Sequence, residues 1–239
     1  MTRTPLPQDD GDLRRGPVDA VVEAARVLAA LGLVDAFGHV SVRDGDALLI
    51  TPPTALDQAH GDALVPVPVD VAELPPGAPP ETWLHLAIYR ARPHVGAIAR
   101  GQPEATLAIG ADHDELAPLH GQAAWLGRRI PIHPVPRLLR TAELASAAAT
   151  TLGDADAMVL RGNGAVTTGT DPGTAVARMH LLAVTCRVHA TARHPVPLDE
   201  DDITAWRTAA PPLLTRLWLH LARTPVSYTH LTLPTICSV

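Results

Sequence analysis

Polar side chains suited to proton transfer stand at three separated points of the chain. Glu81 follows a pair of prolines, Arg100 closes a short apolar run, and Asn163 stands between two glycines. A carboxylate can move a proton, and a guanidinium can stabilise negative charge that develops on a substrate oxygen. An amide can donate a hydrogen bond to that same oxygen. If the fold brings them together, these residue types suit the formation or protonation of an enolate.

Each of these residues also has a purely structural interpretation. A glutamate in the first turn of a helix complements the helix dipole wherever it occurs. An arginine at the end of a strand is most often a surface residue, and an asparagine between glycines is typical of turns. Only their position relative to one another can favour a site over these alternatives.

Several short segments occur in the order and at about the spacing of a known family. They are Gly38 to Arg43, Leu49 to Pro52, Glu81 with His85 to Tyr89, and Leu160 to Gly164. On these segments the chain resembles the class II aldolase/adducin family from about Val18 to His189. The resemblance implies an α/β fold, a three-layer α/β/α sandwich on a mostly antiparallel central sheet, formed by one domain over residues 17 to 224. It also implies a homotetramer with sites at the subunit boundaries.

The same resemblance draws attention to a missing metal site. Three histidines hold the metal in that family, and their positions correspond here to Arg100, Gln102 and Asn163. Zinc needs several N, S or O ligands that converge at about 2.0 to 2.3 Å, whereas a guanidinium is a permanent cation and neutral amides bind zinc poorly. We therefore predict that the protein uses no metal and no other cofactor.

The resemblance also assigns roles to individual residues. Glu81 corresponds to the general acid/base, and Arg100 and Asn163 are the other predicted catalytic residues. Gln102, His39 and the loop residue His120 are predicted to bind substrate.

Two observations bear on the substrate. The serines that bind phosphate in the family are replaced by Pro79 and Pro80, and the chain contains no lysine. We therefore expect a small unphosphorylated carbonyl or carboxylate compound. Without lysine, a Schiff base on a side-chain amine is also excluded.

These expectations combine into a metal-independent lyase of the aldolase or decarboxylase type, in which Arg100 replaces the metal. Two alternatives stay open. One is a non-catalytic scaffold like the adducin head, and the other is a metal-dependent aldolase with rearranged ligands such as Glu81, His85 and His39. An open pocket in which Glu81 is free favours the enzyme, and a closed ion pair between Glu81 and Arg100 favours the scaffold.

Composition limits the remaining possibilities. The chain has 239 residues and a net charge of −6, which argues against non-specific binding to nucleic acid. No apolar run reaches membrane-spanning length, and the polar residues 1 to 16, expected to be flexible, do not resemble a secretory signal. A cytoplasmic protein with a small-molecule substrate is expected. Residues 225 to 239 break the compositional bias of the chain and resemble a translated sequencing adaptor, so we expect them not to be native.

The hydrophobic pattern predicts a mixture of helices and strands that would position these residues. Helices are predicted over Val18 to Leu31, Glu81 to Arg92, Thr141 to Leu152, Pro172 to Thr191 and Asp201 to Arg223. Strands are predicted over His39 to Arg43, Ala47 to Thr51, Val95 to Ala99 and Ala157 to Leu160, with a proline-rich loop around a short strand over Pro66 to Pro80. The last two of the four named strands each end at a polar motif, where ligands commonly bind.

Overall fold

The computed structural model describes residues 16 to 223. The suspected adaptor segment 225 to 239, and all of the predicted flexible segment except residue 16, lie outside the described residues, so both predictions stay predictions.

Eight strands form one central sheet. They are β1 (His39–Asp44), β2 (Ala47–Ile50), β3 (Val65–Pro68), β4 (Ala97–Gly101), β5 (Glu115–Leu116), β6 (Ile130–His133), β7 (Ala157–Leu160) and β8 (Gly164–Gly169). Their order across the sheet is β3-β2-β1-β4-β8-β7-β6-β5. Strands β6 and β7 run parallel, while the other neighbouring pairs run antiparallel. The sheet is therefore mixed, although antiparallel pairing predominates as predicted.

Helices cover both faces of this sheet. They are α1 (Pro17–Ala30), α2 (Thr82–Ala91), α3 (Glu104–Asp112), α4 (Ala142–Leu152), α5 (Pro172–Thr191) and α6 (Glu200–Arg223). The hydrophobic core is accordingly divided in two: one part is formed with α1, α3, α5 and α6, and the other with α2 and α4. The predicted α/β/α sandwich is confirmed. None of the helices in the described part combines the length and apolar character that a membrane crossing requires.

The alternation of side chains along β4 shows how the sheet separates the two halves of the core. Ala97 and Ala99 pack toward α1 and α5, whereas Ile98 packs toward α2. Because successive side chains point to opposite faces of a strand, Arg100 shares the face of Ile98. The arginine is therefore directed to the side of the sheet on which α2 begins.

The start of α2 is fixed by the chain that precedes it. The helix begins at Thr82, and Glu81 is its N-cap residue, with φ −70° and ψ −1°. The Glu81 side chain makes no capping hydrogen bond to the helix backbone. Its carboxylate is consequently available for other partners, while it still lies at the positive end of the helix dipole.

Candidate active site

Two neighbouring strands bring a histidine and an arginine together at the edge of the sheet. In the antiparallel pairing of β1 with β4, His39 lies directly opposite Arg100. Such cross-strand partners share one face of the sheet and lie close together. Both residues are buried, and both line the same cavity.

The turn between β7 and β8 adds Asn163 to this pair. Gly162 and Gly164 adopt positive φ angles of 66° and 85°, a region that favours glycine. A Cβ atom at Gly164 would collide with the carbonyl oxygen of Gly101, so this position requires glycine for reasons of space as well. The tight turn directs Asn163 at β4. Its backbone oxygen and its Oδ1 accept hydrogen bonds from Nη2 of Arg100 at 2.9 and 2.7 Å.

Among residues 16 to 223, Arg100 is a buried cation without a carboxylate partner. Only 3% of the residue is exposed, and its hydrogen-bond acceptors are the neutral oxygens of Asn163. Its Nη1 atom has no hydrogen-bond partner within residues 16 to 223, and the same is true of Nδ2 of Asn163. Burial lowers the pKa of Arg100 and the charge of Glu81 raises it, but a guanidinium keeps its proton in proteins. Two buried donors thus remain unpaired beside the cavity.

Gln102 contributes more weakly. Its Nε2 lies 3.4 Å from Oδ1 of Asn163, at the long end of hydrogen-bond geometry, and the residue is half-buried. Gln102 does not line the cavity that Arg100 and Asn163 share. It supports the orientation of the asparagine amide from the side.

The cavity itself has a volume of about 410 Å³. Its lining combines charged groups with apolar surface and consists of Ala36, Phe37, Gly38, His39, Pro53, Thr54, Pro80, Glu81, Arg100, Leu138, Arg140 and Asn163. The two arginines and one glutamate give this lining a net positive charge. Because the apolar side chains are distributed around these charges, the cavity suits a small anion that carries a flat apolar body.

Glu81 lies at the wall of the cavity and pairs with an arginine that the sequence analysis did not identify. Its Oε1 accepts a hydrogen bond from Nε of Arg140 at 3.1 Å; the side chain of Glu81 is 11% exposed and that of Arg140 is 53% exposed. Burial raises the pKa of Glu81. The hydrogen bond from Arg140, a backbone hydrogen bond at Glu81 itself and electrostatic contributions from His39 and Arg140 together lower that pKa by more, so it lies below its usual value. Glu81 is therefore ionised at neutral pH and can accept a proton.

The two histidines beside this glutamate are held neutral. Burial, reinforced by the charge of Arg100 and opposed by that of Glu81, lowers the pKa of His39 to about 4, and Nδ1 of this histidine has no partner within the described chain. His85 is fully buried behind it, with Nδ1 at 2.8 Å from Oγ of Ser41, which in turn lies 2.9 Å from the Tyr89 hydroxyl. Burial, with smaller electrostatic contributions from His39 and Arg100, puts the pKa of His85 well below its usual value. His85 supports the site from the core.

His120 lies apart from the other candidates. Its Nε2 contacts Oγ1 of Thr185 on α5 at 3.2 Å, and His120 does not line the cavity. The structure thus brings Glu81, Arg100, Asn163 and His39 together around one cavity, with Gln102 at its margin. Within this chain it does not bring His120 there.

The residues at the family's metal-binding position do not fit a metal. Arg100 directs a fixed positive charge into the position. The amide nitrogens of Gln102 and Asn163 are donors that cannot ligate an ion, and Oδ1 of Asn163 already accepts hydrogen bonds from Arg100 and Gln102. In residues 16 to 223 no group of three His, Cys, Asp or Glu side chains is arranged to hold one. The rearranged set of Glu81, His85 and His39 forms no such group either.

The fold and the position of this cavity define an α/β/α domain whose candidate site lies where β1, β4 and the β7–β8 turn meet α2. The family described as "Class II Aldolase and Adducin N-terminal domain" matches residues 19 to 190. The chain belongs to this family.

Two similar proteins are both named 3,4-dihydroxyphthalate decarboxylase. The one from Terrabacter sp. (strain DBF63) is 30% identical over 207 residues, which is 77% of this chain and 86% of the relative. The one from Arthrobacter keyseri is 30% identical over 167 residues, 62% of this chain and 67% of the relative.

Among solved structures, the L-fuculose-1-phosphate aldolase from Thermus thermophilus is 25% identical. Its TM-score is 0.65, and the match covers 72% of this chain and 92% of that one. An aldolase II superfamily protein from Pseudomonas syringae, at 22% identity, shares the fold with a TM-score of 0.70 over 88% and 94% of the two chains. The relatives are named as decarboxylases and aldolases, which supports a lyase-type enzyme.

Proposed function

We propose that this protein is a metal-independent lyase that decarboxylates a small, unphosphorylated carboxylic acid through an enolate. The observation that carries the proposal is the state of Arg100. In the described part of the chain it is a buried cation bonded only to neutral oxygens, and it lines an open cavity beside the ionised Glu81. Leaving a buried charge without a counter-ion is costly for folding, and a bound anion would offset that cost.

The chemical class of the substrate follows from the cavity lining. The net positive charge favours an anion, and the side chains of Phe37, Pro53 and Leu138 suit a planar ring. The two relatives named 3,4-dihydroxyphthalate decarboxylases support the same class. We therefore favour a hydroxylated aromatic acid over a phosphorylated sugar, and decarboxylation over aldol cleavage.

The reaction balances with the groups of the cavity. For an acid with a hydroxyl group ortho to the reacting carboxylate, Glu81 accepts the hydroxyl proton and the oxyanion that results faces Arg100. Glu81 then returns the proton to the ring carbon that bears the carboxylate, and the oxyanion becomes a carbonyl. The bond to the carboxylate breaks, CO₂ leaves, and the electron pair restores the ring as a phenolate, which takes a proton from solvent.

Arg100 and Asn163 stabilise the charged oxygen in the first and last of these steps. A fixed cation about 4 Å from an oxyanion is worth about 4 kcal/mol at an effective dielectric constant near 20, or close to a thousandfold in rate. Hydrogen bonds from an amide to the same oxygen add to this stabilisation.

The scaffold alternative makes a different demand on Glu81. A scaffold would have reason to keep a carboxylate next to Arg100 only as a closed ion pair. Within the described chain Glu81 pairs with the half-exposed Arg140, so it is neither free, as expected of the enzyme, nor in a closed ion pair with Arg100, as expected of the scaffold. The cavity between Glu81 and Arg100 stays open, and this open cavity supports the enzyme.

The test is a decarboxylation assay on hydroxylated benzoates and phthalates, with detection of released CO₂. The parent protein should be active on at least one of them, and Glu81→Gln should lose about a hundredfold or more of kcat because the proton carrier is removed. His85→Gln, which alters a core histidine beside it, should lose much less. Absence of turnover, together with absence of binding to any of these acids, would favour the scaffold.

Metal independence is tested separately. Active protein should contain well under one equivalent of zinc, manganese or iron, and its activity should survive prolonged treatment with a chelator. Stoichiometric metal that is lost together with activity would refute this part of the proposal.

We also propose that the chain assembles as a homotetramer, with sites completed at subunit boundaries. The support is the family membership of residues 19 to 190. In such an assembly His120, which lies outside the cavity of its own chain, could reach the site of a neighbour. Light scattering on the purified protein tests the assembly, and a monomeric, active protein would contradict it.

A further inference from the structure

One charged group of the cavity has no part in the reaction described above. Arg140 lies at the cavity rim, in the loop that precedes α4, and its side chain is half-exposed. Its contact in the structure is with Oε1 of Glu81. This pair is asymmetric, because the glutamate is nearly buried whereas the arginine extends into solvent. An anion that enters the cavity can therefore reach the arginine first.

The chemistry of decarboxylation restricts what such an arginine can hold. The reacting carboxylate leaves as neutral CO₂, so an ion pair with it would be lost in the transition state and would slow the reaction. Arg100 is already assigned to the oxygen on which charge develops. Arg140, the other arginine of the cavity lining, is suited to a carboxylate that stays on the product.

Glu81 would also gain from losing this partner. While Arg140 donates to it, the glutamate is held in its charged form, and a group held in that form is a poor carrier of a proton. The other charged or titratable groups that act on Glu81 are His39 on β1, which is neutral, and Arg100 on β4. Arg140 is the member of this set that can move away.

We propose that Arg140 anchors a second, non-reacting carboxylate of the substrate, and that its shift from Glu81 to this carboxylate frees Glu81 to carry the proton. The inference rests on the proposed decarboxylase function and narrows it to aromatic dicarboxylates. In 3,4-dihydroxyphthalate the retained carboxylate is on the carbon adjacent to the reacting one. That geometry matches an anchor that lies 3.1 Å from the proton carrier. Arg140 acts as a specificity and positioning residue.

Binding of unreactive probes tests the anchor without any turnover. Phthalate and benzoate share a ring and differ by one carboxylate, and their affinities can be measured by calorimetry at a pH where every carboxylate is ionised. Arg140→Met should weaken phthalate binding by about tenfold to a hundredfold, the range expected for a charge-assisted hydrogen bond. Benzoate affinity should change by less than about threefold, since benzoate lacks the second carboxylate.

Two further variants serve as controls. Arg140→Lys keeps the charge and should restore part of the preference for phthalate, although it loses the planar guanidinium. Arg137→Met removes an exposed arginine of the same loop that does not line the cavity, and it should bind both probes as the parent does. Unchanged phthalate binding in Arg140→Met, or an equal loss for both probes, would overturn the inference.

The pH profile tests the release of Glu81. In a plot of kcat/KM against pH, the acidic limb reports the pKa of Glu81 in the free enzyme, where Arg140 is its partner. The acidic limb of kcat reports the pKa of Glu81 in the substrate complex. The pKa from kcat should therefore be higher than the pKa from kcat/KM in the parent. In Arg140→Met both values should be raised and should coincide. A parent with equal values on the two profiles would contradict the release.

The failure of the anchor is distinguishable from the failure of the proposed function. If phthalate binding depends on Arg140 but no dicarboxylate loses CO₂, the role of Arg140 as an anchor is supported and the decarboxylase function is refuted. If the parent decarboxylates a dicarboxylate and Arg140→Met leaves KM unchanged, the decarboxylase function is supported and the anchoring role of Arg140 is refuted.

Discussion

Two arginine-containing clusters of this molecule differ in what compensates their charge. Around Asp156, the Nη2 atoms of Arg92, Arg178 and Arg207 lie 3.2, 3.0 and 3.8 Å from the carboxylate oxygens. In the cavity, Arg100 has the neutral oxygens of Asn163 in place of a carboxylate.

The partners of these arginines explain the difference in role. Each arginine of the Asp156 cluster also donates to a backbone oxygen of another element, namely that of Ala155, Thr168 or Ala124. These contacts hold separate elements of the fold together around one shared carboxylate. Arg100 has no such carboxylate among residues 16 to 223, and its side chain is bonded only to the turn that carries Asn163. An arginine cluster around a shared carboxylate indicates a structural role, whereas a buried arginine with only neutral partners marks a site.

The largest expected effect is a loss of activity when the arginine of the cavity is replaced. Arg100→Met should reduce kcat/KM by about a thousandfold, because the cation opposite the oxyanion is lost. Its stability should be unchanged or slightly higher, since replacing a buried charge by an apolar side chain is often neutral or favourable. Full activity in this variant, measured on the best substrate of the assay, would remove Arg100 from the mechanism.

The second effect is a loss of stability when the carboxylate of the Asp156 cluster is removed. Asp156→Asn removes the carboxylate shared by three arginines and should lower the free energy of unfolding by about 3 kcal/mol, as for other broken buried pairs. Denaturant titration measures this change. Per folded molecule, kcat should stay close to that of the parent. A loss of activity without a loss of stability would show that the Asp156 cluster takes part in function.

The third effect is a pH dependence of stability that arises in the cavity, mainly from the burial of His39 and further from the charge of Arg100. The pKa of His39 is about 4 in the folded protein and near its usual 6.5 in the unfolded chain. Below pH 6.5 His39 is protonated in the unfolded chain but stays neutral in the folded protein. The free energy of unfolding therefore falls as the pH decreases to about 4 and then levels off. The loss from this group is about 3 kcal/mol. In Arg100→Met the pKa of His39 should rise, so the decrease in stability between pH 6.5 and about 4 should be smaller. Thermal melts at several pH values measure this decrease.

The smallest effect concerns the margin of the cavity. Gln102→Ala removes a contact of 3.4 Å to Oδ1 of Asn163 and leaves the two shorter bonds from Arg100 in place. We expect a decrease in kcat/KM of about three- to tenfold, the effect of a single weak hydrogen bond. A decrease as large as that of Arg100→Met would mean that Gln102 contacts the substrate directly.

Periodic elements of the fold could be predicted from the sequence, and elements without periodicity could not. The helix over Pro172 to Thr191 has its predicted bounds, and the first helix differs by one residue at each end. Strand β8 was not predicted. Its residues Gly164 to Gly169 are buried throughout, between β4 and β7, so no polar alternation marks it as a strand.

The site shows a similar division. Arg100 and Asn163 could be identified because both stand at positions where the family resemblance implies a site, and the structure joins them by two hydrogen bonds. Arg140 could not, because it is one of two arginines in the loop before α4, and this loop carries no motif. Its significance depends on a contact with Glu81 across 59 residues of chain. Only the folded arrangement reveals such a pairing.

The turn between β7 and β8 has a consequence for how this family can diversify. Its shape is set by the two glycines at 162 and 164, one of which no larger residue can replace without a collision. The side chain at 163 instead makes its hydrogen bonds outside the turn, with Arg100 and Gln102. A point substitution can exchange a histidine for an asparagine there while the main chain keeps the same path. The chemistry of the site can thus change by single substitutions at this position while the fold stays the same.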